Sequence, residues 1–334
     1  MSDDGYGFYL NRAMDVAAAP VATPGGSGYF STPSPELDPR LFNGTVFRPE
    51  VRGWILDTLY TYWRTRFHSP ESWSTVWAAG SGITYQWSAS RSNGDLDILI
   101  GVDYPAFFAA NEGYQGLTQA DLSQVFNDDL REHLWPNTSQ KVFGSPPAFE
   151  VTFFVNIGAT DIRDINPYAA YNLTTNTWTV HPPVLPQDPK SLYPKSFYAA
   201  FDKERDQANV LLDRYRTIKS QTDAMAPGTP GWVNSVGKAG LVIDQARALF
   251  DSIHLGRHNA FGPGGSGYGD YYNFRWQAHK QAGTMQALHD VAELRSTARE
   301  AYEKNLYGGP IKSAEDSLIE ASLWNTPGYA RRPA

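Results

Sequence analysis

The sequence predicts an α+β protein, a mixed β-sheet front half followed by an all-helical back half, on three observations. Residues 95–102 and 149–157 are rich in β-branched and aromatic side chains, and the second run alternates apolar with polar positions. Beyond about residue 194 the apolar residues recur instead at three- and four-residue spacing. A proline-punctuated connector that begins at His181-Pro182-Pro183 separates the two regimes. The expected organisation is therefore an arm over residues 1–44, a sheet-bearing domain over 45–185 and a helical domain over 186–334.

The arm is rich in Pro, Gly, Ala and Ser without periodicity, and is expected to lie on the surface. Pro49 and Glu50 suit a first helical turn, and Val51, Trp54, Ile55, Thr58, Leu59, Tyr62 and Trp63 then form one stripe, ending before Pro70. A strand over 75–79 runs into Gly80-Ser81-Gly82, and Asn93-Gly94 marks a turn before the strand that starts at Asp95. A polar helix is expected over 119–133, and an edge-like strand over 176–180. Three helical stripes follow, through Ala208 to Ile218, Val236 to Ile253, and Phe274 to Ala292.

Composition narrows the function classes. Lys and Arg number 28 against 35 Asp and Glu, a net charge of −7. That balance argues against a nucleic-acid coat, a membrane-surface protein or a binder of duplex DNA, while permitting a local basic groove. No cysteine is present, which removes disulfides, thiolate metal sites and cysteine nucleophiles. Met1-Ser2-Asp3-Asp4 is acidic with no charged-then-apolar leader pattern, and no run is apolar over the thickness of a bilayer, so the expectation is a cytoplasmic protein.

Asp95-Leu96-Asp97 carries the most chemical information. Side chains on a strand alternate, so both carboxylates point to one face. Two ionised aspartates this close repel unless they are solvated or a cation lies between them. A hard divalent ion, Mg²⁺ or Mn²⁺, is the natural occupant, and it leaves positions open for phosphate oxygens. Ile98-Leu99-Ile100 continues the strand into the core, where unpaired carboxylates would be expensive. Glu150 stands on the second run, with Thr152 and Phe154 on its face and Phe149, Val151, Phe153 and Val155 on the other. Asp161 and Asp164, which follow that run, are the alternatives to Glu150 as third carboxylate.

Gly80-Ser81, Asp95-Leu96-Asp97 and Phe149-Glu150-Val151 together resemble the nucleotidyltransferase superfamily of the DNA polymerase β type, over about residues 45–160. The chain is also similar to predicted nucleotidyltransferases of actinobacteria and their phages. Thirteen residues separate Ser81 from Asp95, toward the long side of the family pattern. The resemblance implies transfer of a nucleoside monophosphate from a nucleoside triphosphate such as ATP to an acceptor hydroxyl, with release of pyrophosphate. It implies that Asp95, Asp97 and Glu150 hold Mg²⁺ (or Mn²⁺), and that Glu150 also takes the acceptor proton. Gly80 would let phosphates approach the backbone, and Ser81 would donate to one of their oxygens. Arg91, Arg275 and Lys280 are assigned to the leaving pyrophosphate from charge and position. The acceptor stays open between a transfer-RNA or other RNA end, a second nucleotide, a small molecule and a protein hydroxyl. The competing expectation is a non-catalytic nucleotide- or partner-binding protein that keeps the fold, and the complete acidic set counts against it.

Other features weigh less. The glycine-rich segment 262–269 lacks the Gly-Lys-Ser/Thr ending of a P-loop and reads as a connector. His254 and His258 have zinc-pair spacing with no Cys or Glu partner, and read as exposed helix-end histidines. Tyr271 and Tyr272 are candidates to stack on a nucleobase. Pro-Gly-Gly-Ser-Gly-Tyr occurs at 24–29 and again at 263–268, a coincidence of simple composition.

Overall fold

The computed structural model describes residues 28–87, 93–157, 160–262 and 264–307. It divides into a sheet-bearing unit, Gly28–Leu192 with Phe261–Tyr268, and a helical unit that starts at Tyr193 and resumes at Gly269. The first unit opens with a hairpin of β1 (Phe42–Asn43) and β2 (Val46–Phe47). Helix α1 (Pro49–Trp63), the single turn α2 (Pro70–Trp73), β3 (Ser74–Ala79) and β4 (Asn93–Val102) follow. Next come α3 (Tyr104–Ala110), α4 (Gln119–Asp129), a π-helical turn (Leu130–Leu134), α5 (Trp135–Thr138), β5 (Ala148–Val155), β6 (Ala170–Asn172) and β7 (Thr177–Val180). Five strands form one mixed sheet in the order β5-β4-β3-β6-β7. Only β4 and β5 are parallel; the other neighbours run antiparallel.

Alternation decides which face of the sheet the helices cover. Val76 and Ala78 of β3, Leu96, Ile98 and Ile100 of β4, and Val151, Phe153 and Val155 of β5 all point into one core. Onto them pack Val51, Ile55, Leu59 and Trp63, the stripe of α1, with Phe107 of α3 and Leu122 and Phe126 of α4. The centre is aromatic: Trp73 lies 5.2 Å from Trp63 and 4.9 Å from Phe107, and Phe107 lies 5.2 Å from Phe126. Each such edge-to-face or tilted pair adds about 0.5–1.5 kcal/mol beyond its area burial. Helix α4 starts on a reciprocal cap, in which Thr118 Oγ1 accepts from the Asp121 amide while Asp121 accepts from the Thr118 amide.

The structure departs from expectation in three places. The arm does not extend to residue 44 as surface chain, because Tyr29, Phe30, Leu37, Leu41 and Phe42 are buried in the sheet unit. There Phe42 stacks on Trp178 of β7 at 5.6 Å, and the Trp178 indole donates to Thr45 O. The helix expected over 119–133 widens after Asp129, where the Trp135 amide donates to Leu130 O five residues back. Pro136 supplies the reason, since it has no amide hydrogen to continue the ordinary ladder and its ring crowds the preceding turn. The third helical stripe is two helices, divided at Gly283, whose φ of +74° ends the first.

The helical unit holds α6 (Lys195–Asp223), α7 (Pro230–Phe261), α8 (Tyr271–Gln281) and α9 (Thr284–Tyr307). Ala208, Leu212 and Tyr215 of α6 share a second core with Trp232, Val236, Ala239 and Ile243 of α7 and with Met285, Leu288 and Val291 of α9. Among the described residues, no helix is long and apolar enough to cross a membrane.

Candidate active site

Register brings the acidic residues together. Asp95 of β4 pairs directly with Glu150 of β5, and Asp97 pairs with Thr152, so all three carboxylates leave the same face of adjacent parallel strands. This is the face that the helices leave uncovered at its Asp95 end. Asp95 and Asp97 are exposed and Glu150 is half-buried. Their strand is thus buried on one face only, and the two aspartates stand on the exposed face rather than in the core that the apolar run Ile98–Ile100 suggests. Further along the same face Trp77, Leu99, Ala170 and Val180 are covered by Ile162 and Ile165.

The loop after β3 is pressed onto both aspartates. A side-chain carbon on Gly80 would lie 2.6 Å from Asp97 Oδ2, and one on Gly82 would collide with the Asp95 carbonyl oxygen. Gly80 also has φ +83° and ψ −168°, a backbone conformation essentially reserved for glycine. Ser81 is half-buried between them, and its hydroxyl makes no hydrogen bond among the described residues. The oxygen-only donor set and a loop that glycine alone permits beside Asp97 both fit a hard cation and its phosphate ligands. Among the described residues, however, no three His, Asp or Glu side chains converge closely enough to hold an ion. Glu150 is engaged elsewhere: its Oε1 accepts from the Trp135 indole at 3.1 Å.

Glu150 stands beside Asp95, whereas the alternatives do not share its strand. Asp161 accepts from both the side chain and the amide of Arg163, which hold its carboxyl below the ordinary range. Asp164 is exposed on the same short turn. Of the three expected cations, Arg91 lies outside the described residues. Arg275, expected to meet pyrophosphate, is 7% exposed and its donors are engaged inside the helical unit. Its Nε donates to Glu204 at 2.8 Å, and Nη1 and Nη2 donate to Ser252 O and Oγ. The guanidinium is therefore a tie between α8, α6 and α7. His279 joins it, with Nε2 3.2 Å from the same Glu204 oxygen. Burial pushes the Glu204 carboxyl up, but His279 and Arg275 outweigh it and hold the group below its ordinary value. Lys280 is exposed on α8.

Remaining expectations sort as follows. His254 and His258 lie ring to ring at 5.9 Å, and burial, with the charges of His258 and Arg257, holds His254 below its ordinary value. Tyr272 is exposed, while burial pushes the Tyr271 hydroxyl up. The glycine-rich segment is docked rather than merely connecting. With Arg163, Asn166 and Val180 it walls a cavity of 340 Å³, and Asn166 Nδ2 donates to Phe261 O at 3.3 Å. The tyrosines that end the repeated hexapeptide meet: Tyr29 Oη donates to Tyr268 O, and their rings lie 5.0 Å apart. Gln86, 3% exposed, closes a ring of bonds by donating to Tyr29 O and accepting from Tyr268 Oη.

Sequence reasoning missed Trp135, Gln86 and Tyr268. A tryptophan directly before a proline at the end of a polar helix was the available signal for Trp135. Nothing local marks Gln86, whose partners are far away in the chain. Comparisons with protein-family models, curated proteins and solved structures give no match.

Proposed function

We propose that the chain is a metal-dependent nucleotidyltransferase that moves a nucleoside monophosphate from a nucleoside triphosphate to an acceptor hydroxyl. The observation that carries this reading is the register of β4 on β5, which sets Asp95, Asp97 and Glu150 on one open face beneath the Gly80–Gly82 loop. Asp95 and Asp97 would hold Mg²⁺ or Mn²⁺, which when bound neutralises phosphate charge and polarises the phosphorus under attack. Gly80 and Gly82 keep side-chain bulk out of the space beside the aspartates, and the Ser81 hydroxyl donates to a phosphate oxygen. Glu150, through the oxygen that Trp135 leaves open, accepts the proton of the acceptor hydroxyl.

The test is incubation with each α-labelled triphosphate and Mg²⁺ or Mn²⁺. Pyrophosphate release that Asp97→Asn abolishes supports the enzyme. The engagement of Glu150 by Trp135 favours the second reading, a protein that holds nucleotide without turnover. Nucleotide binding with no pyrophosphate release under any of these conditions would establish that reading instead.

A further inference from the structure

Trp135 is an exposed aromatic ring with a fixed position and no ring partner. It is 40% exposed, and no other aromatic ring lies against it among the described residues. Its indole edge is pinned by the bond from Nε1 to Glu150 Oε1. Its backbone is pinned as well. Leu130 and Leu134 of the π-helical turn are buried, and Thr138, one turn on, donates to Val151 O within β5 at 2.7 Å. The wide turn that precedes Trp135, set by Pro136, is a geometry frequent at functional sites. The exposed part of this ring is an apolar surface held beside the Glu150 carboxylate.

From this arrangement we infer that Trp135 is the stacking platform for a nucleobase of the acceptor. The inference rests on the nucleotidyltransferase reading and narrows its acceptor to one that carries a nucleoside. Trp135 touches Glu150, the carboxylate on the outer strand, and not the Asp95–Asp97 pair assigned to the triphosphate. β5 is the outer strand of the five-stranded sheet; Lys141 and Thr138 bond to its backbone on that side, and the Trp135 ring beside them stays 40% exposed. The bond holds the indole next to the proton-accepting carboxylate. A base stacked on that ring would carry its ribose to the neighbourhood of Glu150. The pinned indole loses little freedom on binding, and stacking tolerates any base.

The test uses the full chain and its Trp135→Leu and Trp135→Phe variants. The first arm needs no turnover. The indole Nε1–H resonance missing from Trp135→Phe identifies Trp135 by NMR, and adenosine 5′-monophosphate should shift it. The second arm measures pyrophosphate release with adenosine 5′-monophosphate, a short RNA with a free 3′ end, glucose or a serine peptide as acceptor. Trp135→Leu should raise the KM for the preferred nucleoside-bearing acceptor about five- to a hundredfold. The triphosphate KM should stay within about twofold, and Trp135→Phe should recover most of the loss. Preference between the mononucleotide and the RNA tells which source supplies the nucleoside. Use of glucose or peptide alone would overturn the inference, as would an unmoved Trp135 resonance with active enzyme. A shifted resonance in a protein that releases no pyrophosphate with any acceptor would uphold the base site and remove the transfer reading.

Discussion

Gly80→Ala isolates what the loop after β3 contributes. At φ +83° and ψ −168° a side chain is strained by about 1–3 kcal/mol whatever space surrounds it. Space is also lacking: the new carbon would stand 2.6 Å from Asp97 Oδ2, against 3.4 Å for ordinary contact, so the carboxylate must retreat by 0.8 Å. Strain and displacement together should cost about 2–3 kcal/mol, and at about 2–4 °C per kcal/mol the sheet unit should melt about 4–12 °C lower. A reacting group misplaced by about 1 Å loses about a hundredfold in rate, so pyrophosphate release should fall by that order. Gly44→Ala is the control, because it has φ +62° and nothing within 4 Å of the added carbon. It should cost about 1 kcal/mol and leave turnover intact. Thermal melting followed by near-ultraviolet circular dichroism and a pyrophosphate assay give both readings. Equal melting temperatures for the two variants, with more than half the wild-type rate retained by Gly80→Ala, would refute the argument.

Glu204→Gln leaves the Arg275 guanidinium buried without its counter-charge, and should lower the stability of the helical unit by about 2–3 kcal/mol in urea unfolding. The acid limb of stability depends on the same carboxyl. Because the folded state holds Glu204 below its ordinary value of 4.5, its contribution is complete above that pH and fades as the pH falls through the lower folded value. Melting curves of the helical unit should therefore drop more steeply on acidification in the wild type than in Glu204→Gln. Phe126→Ala removes a fully buried ring that touches Trp63, Phe67, Trp73 and Phe107, and should cost about 3–5 kcal/mol, read as an earlier urea midpoint of the sheet unit. Tyr268→Phe leaves the buried Gln86 Oε1 without its donor, at a cost of about 1–3 kcal/mol, and amide exchange over residues 81–86 should quicken.

Much of the sheet unit was legible in advance because its strands are long enough to show a period. Val151, Phe153 and Val155 alternate with Glu150, Thr152 and Phe154, and that pattern alone places the glutamate on the face opposite the core. On β4 the unbroken apolar run Ile98–Ile100 masked the same alternation, in which Leu96, Ile98 and Ile100 are buried and Asp95 and Asp97 are exposed. The hairpin at 42–47 and strand β6 were invisible because two or three residues carry no period, and their stability comes from Trp178 and β3 rather than from local preference. The break at Gly283 was hidden by apolar residues that stay roughly in phase across it. Charge and position pointed Arg275 at phosphate, yet a basic residue on a helical stripe can equally tie helices together, and Glu204 and Ser252 decide in favour of the tie. The contact of Tyr29, Gln86 and Tyr268 joins three distant stretches of chain, so no window of sequence contains it.

The parallel pairing of β4 with β5 has a consequence for how the protein is made. Parallel neighbours cannot be joined by a tight turn, and here the crossover occupies residues 103–147 with α3, α4 and α5 within it. On the ribosome the two aspartates therefore emerge well ahead of the strand that carries their glutamate neighbour. Contact order, not local preference, sets when the acidic face is complete. A translation product that stops before residue 148 lacks the outer strand, and carries two of the three carboxylates with β3 and its loop on one side and no β5 on the other.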